Sequence, residues 1–158
     1  MKIDLSSVPI ESGTTYPTAF RSAVVGRSRQ RVGNAAGLKN FGVNLPTLAP
    51  GSQSALRHWH AAQDEFIYVV SCELLLITDE GEQLLSPGDM AGFAAGDANG
   101  HHLVNRSDAP AVYLEVGDRT TPDRAEYPDH DLVYAPAADG PTNGASGQFE
   151  YRDGRVYR

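Results

Sequence analysis

Sixteen glycines and ten prolines punctuate the 158-residue chain at short intervals and leave little room for a helix of three or more turns. Between them lie short runs rich in β-branched and aromatic residues, clearest at Glu65 to Val70, Leu74 to Thr78, Gln83 to Leu85 and Ala111 to Val116. Asp79-Glu80-Gly81-Glu82 reads as a tight hairpin in which glycine supplies positive φ, and Ser86-Pro87-Gly88-Asp89 as a second turn. Many short strands with turn signals between them predict an all-β sandwich or barrel. The first fifty residues read as an N-terminal strand arm, with strands at Arg21 to Arg27 and Lys39 to Leu48 joined through Val32 to Gly37. Residues 51–117 form the barrel core, and 118–158 a surface-wrapping tail that ends in a short hairpin about Asp153-Gly154. No internal repeat is visible, so the expectation is one barrel and one domain.

Bulk properties exclude several classes. Hydrophobic residues make up 41% and charged residues 21%, the range of a globular protein. A net charge of -7 with scattered Lys and Arg gives no basic patch for nucleic acid or anionic lipid. No apolar run approaches the ~20 residues of a membrane helix, and Met1 to Ile10 lacks the apolar stretch of a signal peptide. Cys72 is the single cysteine, which rules out an internal disulfide or a multi-thiolate metal site and fits a cytoplasmic setting.

Four of the five histidines fall between positions 58 and 102. On a strand, His58 and His60 share one face while Trp59 points away. Glu65 follows a short turn and opens a strand that can run back beside the first, and His101 arrives after a glycine-rich loop. Three imidazoles and a carboxylate from separate segments can converge on one divalent ion, and such donors admit Zn, Fe, Mn, Ni or Cu.

Two stretches carry a family resemblance. Gly51, His58-Trp59-His60, Glu65 and Cys72 resemble the first cupin motif, with Cys72 at its final glycine. Pro87-Gly88-Asp89, Gly96, His101 and Asn105 resemble the second. Fainter similarity to small bacterial stand-alone cupins runs from about Arg27 to Asp131. The resemblance implies a double-stranded β-helix, or jelly-roll, with one metal inside on His58, His60, Glu65 and His101. Asp64 and His102 are the alternatives for Glu65 and His101. Three departures stand out: cysteine at a position that favours positive φ, Ala94 where the motif has proline, and a gap from Gly96 to His101 two residues longer than usual.

Tyr68, Arg57, Gln53, Asn105 and Glu115 are the further pocket candidates, although each such residue type on a strand more often serves packing or local hydrogen bonding. His102 is expected on the opposite face from His101, and Cys72 as a small buried hydrophobe. The implied function is a metal-dependent enzyme of isomerase, lyase or dioxygenase type on a small polar, oxygen-rich metabolite. The alternative is a non-catalytic small-molecule-binding or sensor cupin. A second proton-transfer residue near the metal would favour the enzyme; apolar walls alone would favour binding. The resemblance also implies a homodimer paired through sheet edges and the N-terminal arm.

Overall fold

The computed structural model describes residues 2–136 and 147–157. Its strands are β1 (Ile10–Ser12), β2 (Arg27–Gln30), β3 (Phe41–Leu48), β4 (Trp59–His60), β5 (Glu65–Ser71), β6 (Leu74–Thr78), β7 (Gly81–Leu85), β8 (Met90–Phe93), β9 (His102–Val104), β10 (Ala111–Asp118), β11 (Ala125–Tyr127), β12 (Leu132–Pro136) and β13 (Gly147–Glu150). One face is a six-stranded sheet in the order β1-β2-β3-β10-β5-β8. The other is built from β13-β12-β11-β4 and β7-β6-β9, joined by isolated bridges between His58 and His101 and between Gln53 and Val104. Neighbouring strands pair antiparallel, and the whole is an all-β jelly-roll barrel.

The core follows from strand alternation. In β5, Ile67 and Val69 are buried while Phe66, Tyr68 and Val70 are exposed, so odd-numbered residues face inward. They meet Leu48 of β3, Tyr113 of β10, Leu74 and Leu76 of β6, and Leu103 of β9 in one cluster. Each fully buried Leu or Val there contributes about 1.5–3 kcal/mol of transfer free energy. Hairpin β6–β7 closes with Thr78 opposite Gly81, whose φ of 120° a side chain would strain.

The structure departs from the sequence expectations in three places. Arg21 to Arg27 is not a strand: Thr18–Val24 forms a 3-10 helix, and β2 begins only at Arg27. There Phe20, Ala23 and Val24 turn together onto Tyr16, Leu56 and Tyr127, and that packing outweighs the β preference of Val24 and Val25. The stretch from Val32 holds a single helical turn, Val32–Ala35. The segment after Asp118 does more than wrap the surface. Strands β11 and β12 bury Ala125, Tyr127, Leu132 and Val133, a second core that short alternating runs among charges concealed. The expected last hairpin is present, with Glu150 bridging Val156 and the Gly154 N–H donating to Tyr151 O. Residues 137–146, within the stretch read as part of the tail, lie outside the described residues.

Cys72 keeps the bend of the motif glycine at φ 63°, the single positive-φ side chain among the described residues. The turn is retained and the strain accepted, at a cost of order 1–3 kcal/mol. Cys72 Sγ rests 3.1 Å from Ser107 Oγ.

Candidate metal centre

Strand register brings the site together. Bridging of His58 to His101 sets two imidazoles side by side, with ring centroids 5.0 Å apart. His60 ends β4, and Glu65 opens β5 opposite Phe93 of β8. The inward phase of β5 that buries Ile67 and Val69 also aims Glu65 at the histidines. Nε2 of His58 and Nε2 of His60 each lie 3.6 Å from Glu65 Oε2. His101 Nε2 is 2.9 Å from the same oxygen. His58, His60 and Glu65 form a tight triad whose ligand atoms all lie within 4.8 Å of one another. His101 stands beside that triad, reaching it through Glu65.

The second ring nitrogens decide what the first can do. His58 Nδ1 is 2.9 Å from the carbonyl of Leu56, which can only accept, so this nitrogen carries the proton. His60 Nδ1 is 2.6 Å from Asp123 Oδ2 and donates to it in the same way. Nε2 of each neutral ring then presents a lone pair to the Glu65 carboxylate. Two lone pairs and an anion facing each other repel unless a cation lies between them. That arrangement fits a divalent metal, and it is how ligating imidazoles are held in metalloproteins. His101 is fixed differently: Phe93 stacks on its ring at 3.5 Å, and its buried Nδ1 has no hydrogen-bond partner.

Electrostatics support the same assignment. Burial pushes the Glu65 carboxyl up, but the hydrogen bond from His101 and the surrounding imidazoles overcome this and hold it well below the ordinary carboxylate value. Glu65 is therefore anionic. Burial holds the His101 imidazole below its ordinary value, favouring the neutral ligand form. Burial pushes His60 down, yet the bond to Asp123 and the charge of Glu65 leave it raised.

Two hollows flank the site. The inner one, about 180 Å³, is bordered by His58, Glu65, His101 and His102 together with Tyr16, Arg27, Tyr113 and Glu115. The outer one, about 310 Å³, is bordered by His60, Glu65, His101, Trp59, Asp97 and Asn99. The loop lengthened between Gly96 and His101 thus forms its rim. Gly100 permits close packing there, because a Cβ would lie 2.9 Å from Pro128.

Of the five pocket candidates, only Glu115 borders these hollows. Tyr68 sits on the outward phase of β5 and is 36% exposed, away from the site. Arg57 is clamped by Asp129 at 2.8 and 2.6 Å and also pairs with Asp79. Gln53 donates to Ala55 O at 3.1 Å. Asn105 is fully buried and donates to Leu48 O and Ala109 O at 2.8 Å, which ties β3 to the loop before β10. Asp64 accepts from Ala95 N at 2.7 Å and does not replace Glu65. His102 is not turned outward: its Nδ1 donates to Ala55 O at 2.9 Å and its ring borders the inner hollow. Trp59, expected to point away, also borders the outer hollow. Asp123, Tyr16 and Arg27 escaped the sequence reading, since each lies far along the chain from the two motifs.

The cupin domain family model matches residues 44–117. A crystal structure described as a sugar phosphate isomerase of the cupin superfamily from Silicibacter pomeroyi is 45% identical. The alignment covers 100% of this chain and 97% of that one, with a TM-score of 0.92. This chain belongs to the cupin superfamily. A protein from Acidithiobacillus ferrooxidans, given a provisional sugar phosphate isomerase assignment, is 27% identical over 84% of this chain and 81% of its own, with a TM-score of 0.71. The polyketide cyclase RemF from Streptomyces resistomycificus shares the fold at 17% identity, over 78% of this chain and 82% of that one, with a TM-score of 0.64. Comparison with curated proteins found no match. No helix among the described residues is long and apolar enough to cross a membrane.

Proposed function

We propose that the chain is a metal-dependent isomerase acting on a small phosphorylated sugar, with one divalent ion on His58, His60 and Glu65 and with His101 as the fourth ligand. The observation that carries the metal is the convergence of two Nε2 lone pairs on the Glu65 carboxylate. The reaction class is suggested by 45% identity along the whole chain to a protein described as a sugar phosphate isomerase. When bound, the ion supplies polarisation of a carbonyl and its neighbouring hydroxyl.

Interconverting an aldose and a ketose moves a proton from the carbon beside the carbonyl to the carbonyl carbon, while a hydroxyl proton passes between the two oxygens. That needs an acid–base group beside the metal ligands. Glu115 fits this role. It borders the inner hollow, it lies opposite Ile67 on the strand next to Glu65, and its Oε2 accepts from Asn44 Nδ2 at 2.9 Å. Tyr16 and Tyr113, both held protonated above the ordinary tyrosine value chiefly by burial, border the same hollow as neutral hydroxyls. These polar groups favour an enzyme over a binding module with apolar walls.

The same reading extends to a homodimer, because Phe66, Tyr68, Val70 and Met90 leave an apolar outer face on β5 and β8.

The test is turnover of phosphorylated aldoses and ketoses, followed by proton exchange with solvent deuterium. Activity lost with a chelator and restored by added metal is expected. Metal-saturated protein that neither interconverts nor exchanges any such sugar would contradict the proposal.

A further inference from the structure

Outside the metal centre, the strongest unexplained feature is a row of arginines on β2. Arg27 and Arg29 are two apart on the strand and so share a face, which Arg31 extends just beyond its end. The three border one hollow of about 230 Å³ with Glu11 and the turn Gly13-Thr14-Thr15. In a chain of net charge -7, this wall holds three cations against one carboxylate.

That carboxylate is already engaged: Arg31 Nε lies 2.7 Å from Glu11 Oε2. Arg27 donates to the backbone carbonyls of Ser54 and Gly13, and it forms no ion pair among the described residues. The guanidinium of Arg29 is only partly exposed and makes neither hydrogen bond nor ion pair among the described residues. Burial and the charges of Arg31 and Arg27 hold Arg29 below its ordinary value despite nearby Glu115 and Glu11. An unpartnered, half-buried guanidinium pressed by two like charges is costly unless an anion binds there.

Position gives the anion its meaning. Arg27 borders both this hollow and the inner hollow that holds His58, Glu65 and His101. It is the shared wall between the arginine row and the candidate metal centre.

We propose that Arg27, Arg29 and Arg31, with the Gly13–Thr15 turn, form an anion site that takes the phosphate of a phosphomonoester whose other end reaches the metal past Arg27. A dianionic phosphate would accept forked N–H pairs from the guanidiniums and bonds from the Thr14 and Thr15 hydroxyls. That the rest of the ligand is a sugar rests on the isomerase reading; the anion site itself does not.

The test is calorimetric titration of inorganic phosphate into the metal-loaded full chain, so that turnover plays no part. Wild type should bind phosphate, and Arg29→Gln should weaken it about tenfold or more. Phosphate should raise the melting temperature of wild type but not of this variant. Because Arg29→Gln removes a crowded charge, it should melt no lower than wild type in phosphate-free buffer. Should that variant fail to fold, Arg31→Gln replaces it and should weaken phosphate binding several-fold. Absence of phosphate binding at millimolar concentration would overturn the proposal. So would phosphate binding that ignores the arginine substitutions and vanishes when the metal is removed, since the anion would then sit on the ion.

Discussion

Asp123 Oδ2 lies 2.6 Å from His60 Nδ1, and its other oxygen accepts from Ala62 N at 2.9 Å. A residue from the loop before β11 thereby fixes both the tautomer of one imidazole and the turn that leads to Glu65. Asp123→Asn should weaken metal binding about 10- to 100-fold with little change in fold. Competition against a chromophoric chelator measures this, and unchanged affinity would remove Asp123 from the site.

Metal binding should depend on pH through the imidazoles and not the carboxylate. Glu65 is held well below the ordinary carboxylate value and stays anionic, while His101 is held down and stays neutral. His60 is raised above its ordinary value, so a proton on His60 competes first as pH falls. Affinity should begin to drop at a pH above the ordinary imidazole value of about 6.5 and fall about tenfold per unit below that onset. In Asp123→Asn that onset should move to lower pH. An onset near pH 4 in wild type would assign the competing proton to a carboxylate instead.

Glu115→Gln should lower kcat by about 100-fold or more while metal content stays at the wild-type level. Loss of metal together with activity would mean that Glu115 serves the ligand set rather than proton transfer. Its hydrogen bond from Asn44 can form equally well to the Gln side-chain oxygen, so stability should change little.

Leu74 is fully buried in the cluster with Leu48, Val69 and Tyr113. Leu74→Ala should cost about 2–5 kcal/mol in denaturant unfolding. A cost under about 1 kcal/mol would show that the two faces of the barrel are not closely packed there.

The barrel and the convergence of His58, His60 and Glu65 were legible because both live in local patterns. His-x-His on one strand face, a carboxylate opening the next strand, and Pro-Gly turns at fixed offsets are all short-range signals. Glu115, one of several polar pocket candidates, borders the inner hollow because its inward phase on β10 points it there. Tyr68 failed for the same physics: three positions from Glu65, strand alternation turns it to the opposite face. Arg57 and Asn105 lie near the ligands in sequence, but their partners, Asp129 and the Leu48 carbonyl, are set by long-range pairing that no local pattern announces. Asp123 and Tyr16 carry no local signal because the loops that hold them are placed beside the site by long-range packing of the second core. The 3-10 helix at Thr18–Val24 reads as a strand in sequence because Val24 and Val25 favour β structure, while the packing of Phe20, Ala23 and Val24 onto the second core is a long-range contact.

The most direct test is anomalous scattering from crystals of metal-saturated protein. The predicted result is one ion per chain, about 2.0–2.2 Å from Nε2 of His58 and His60 and from a carboxylate oxygen of Glu65, with His101 completing the set. Saturated crystals with no peak between these side chains, or with the metal bound elsewhere, would contradict the account.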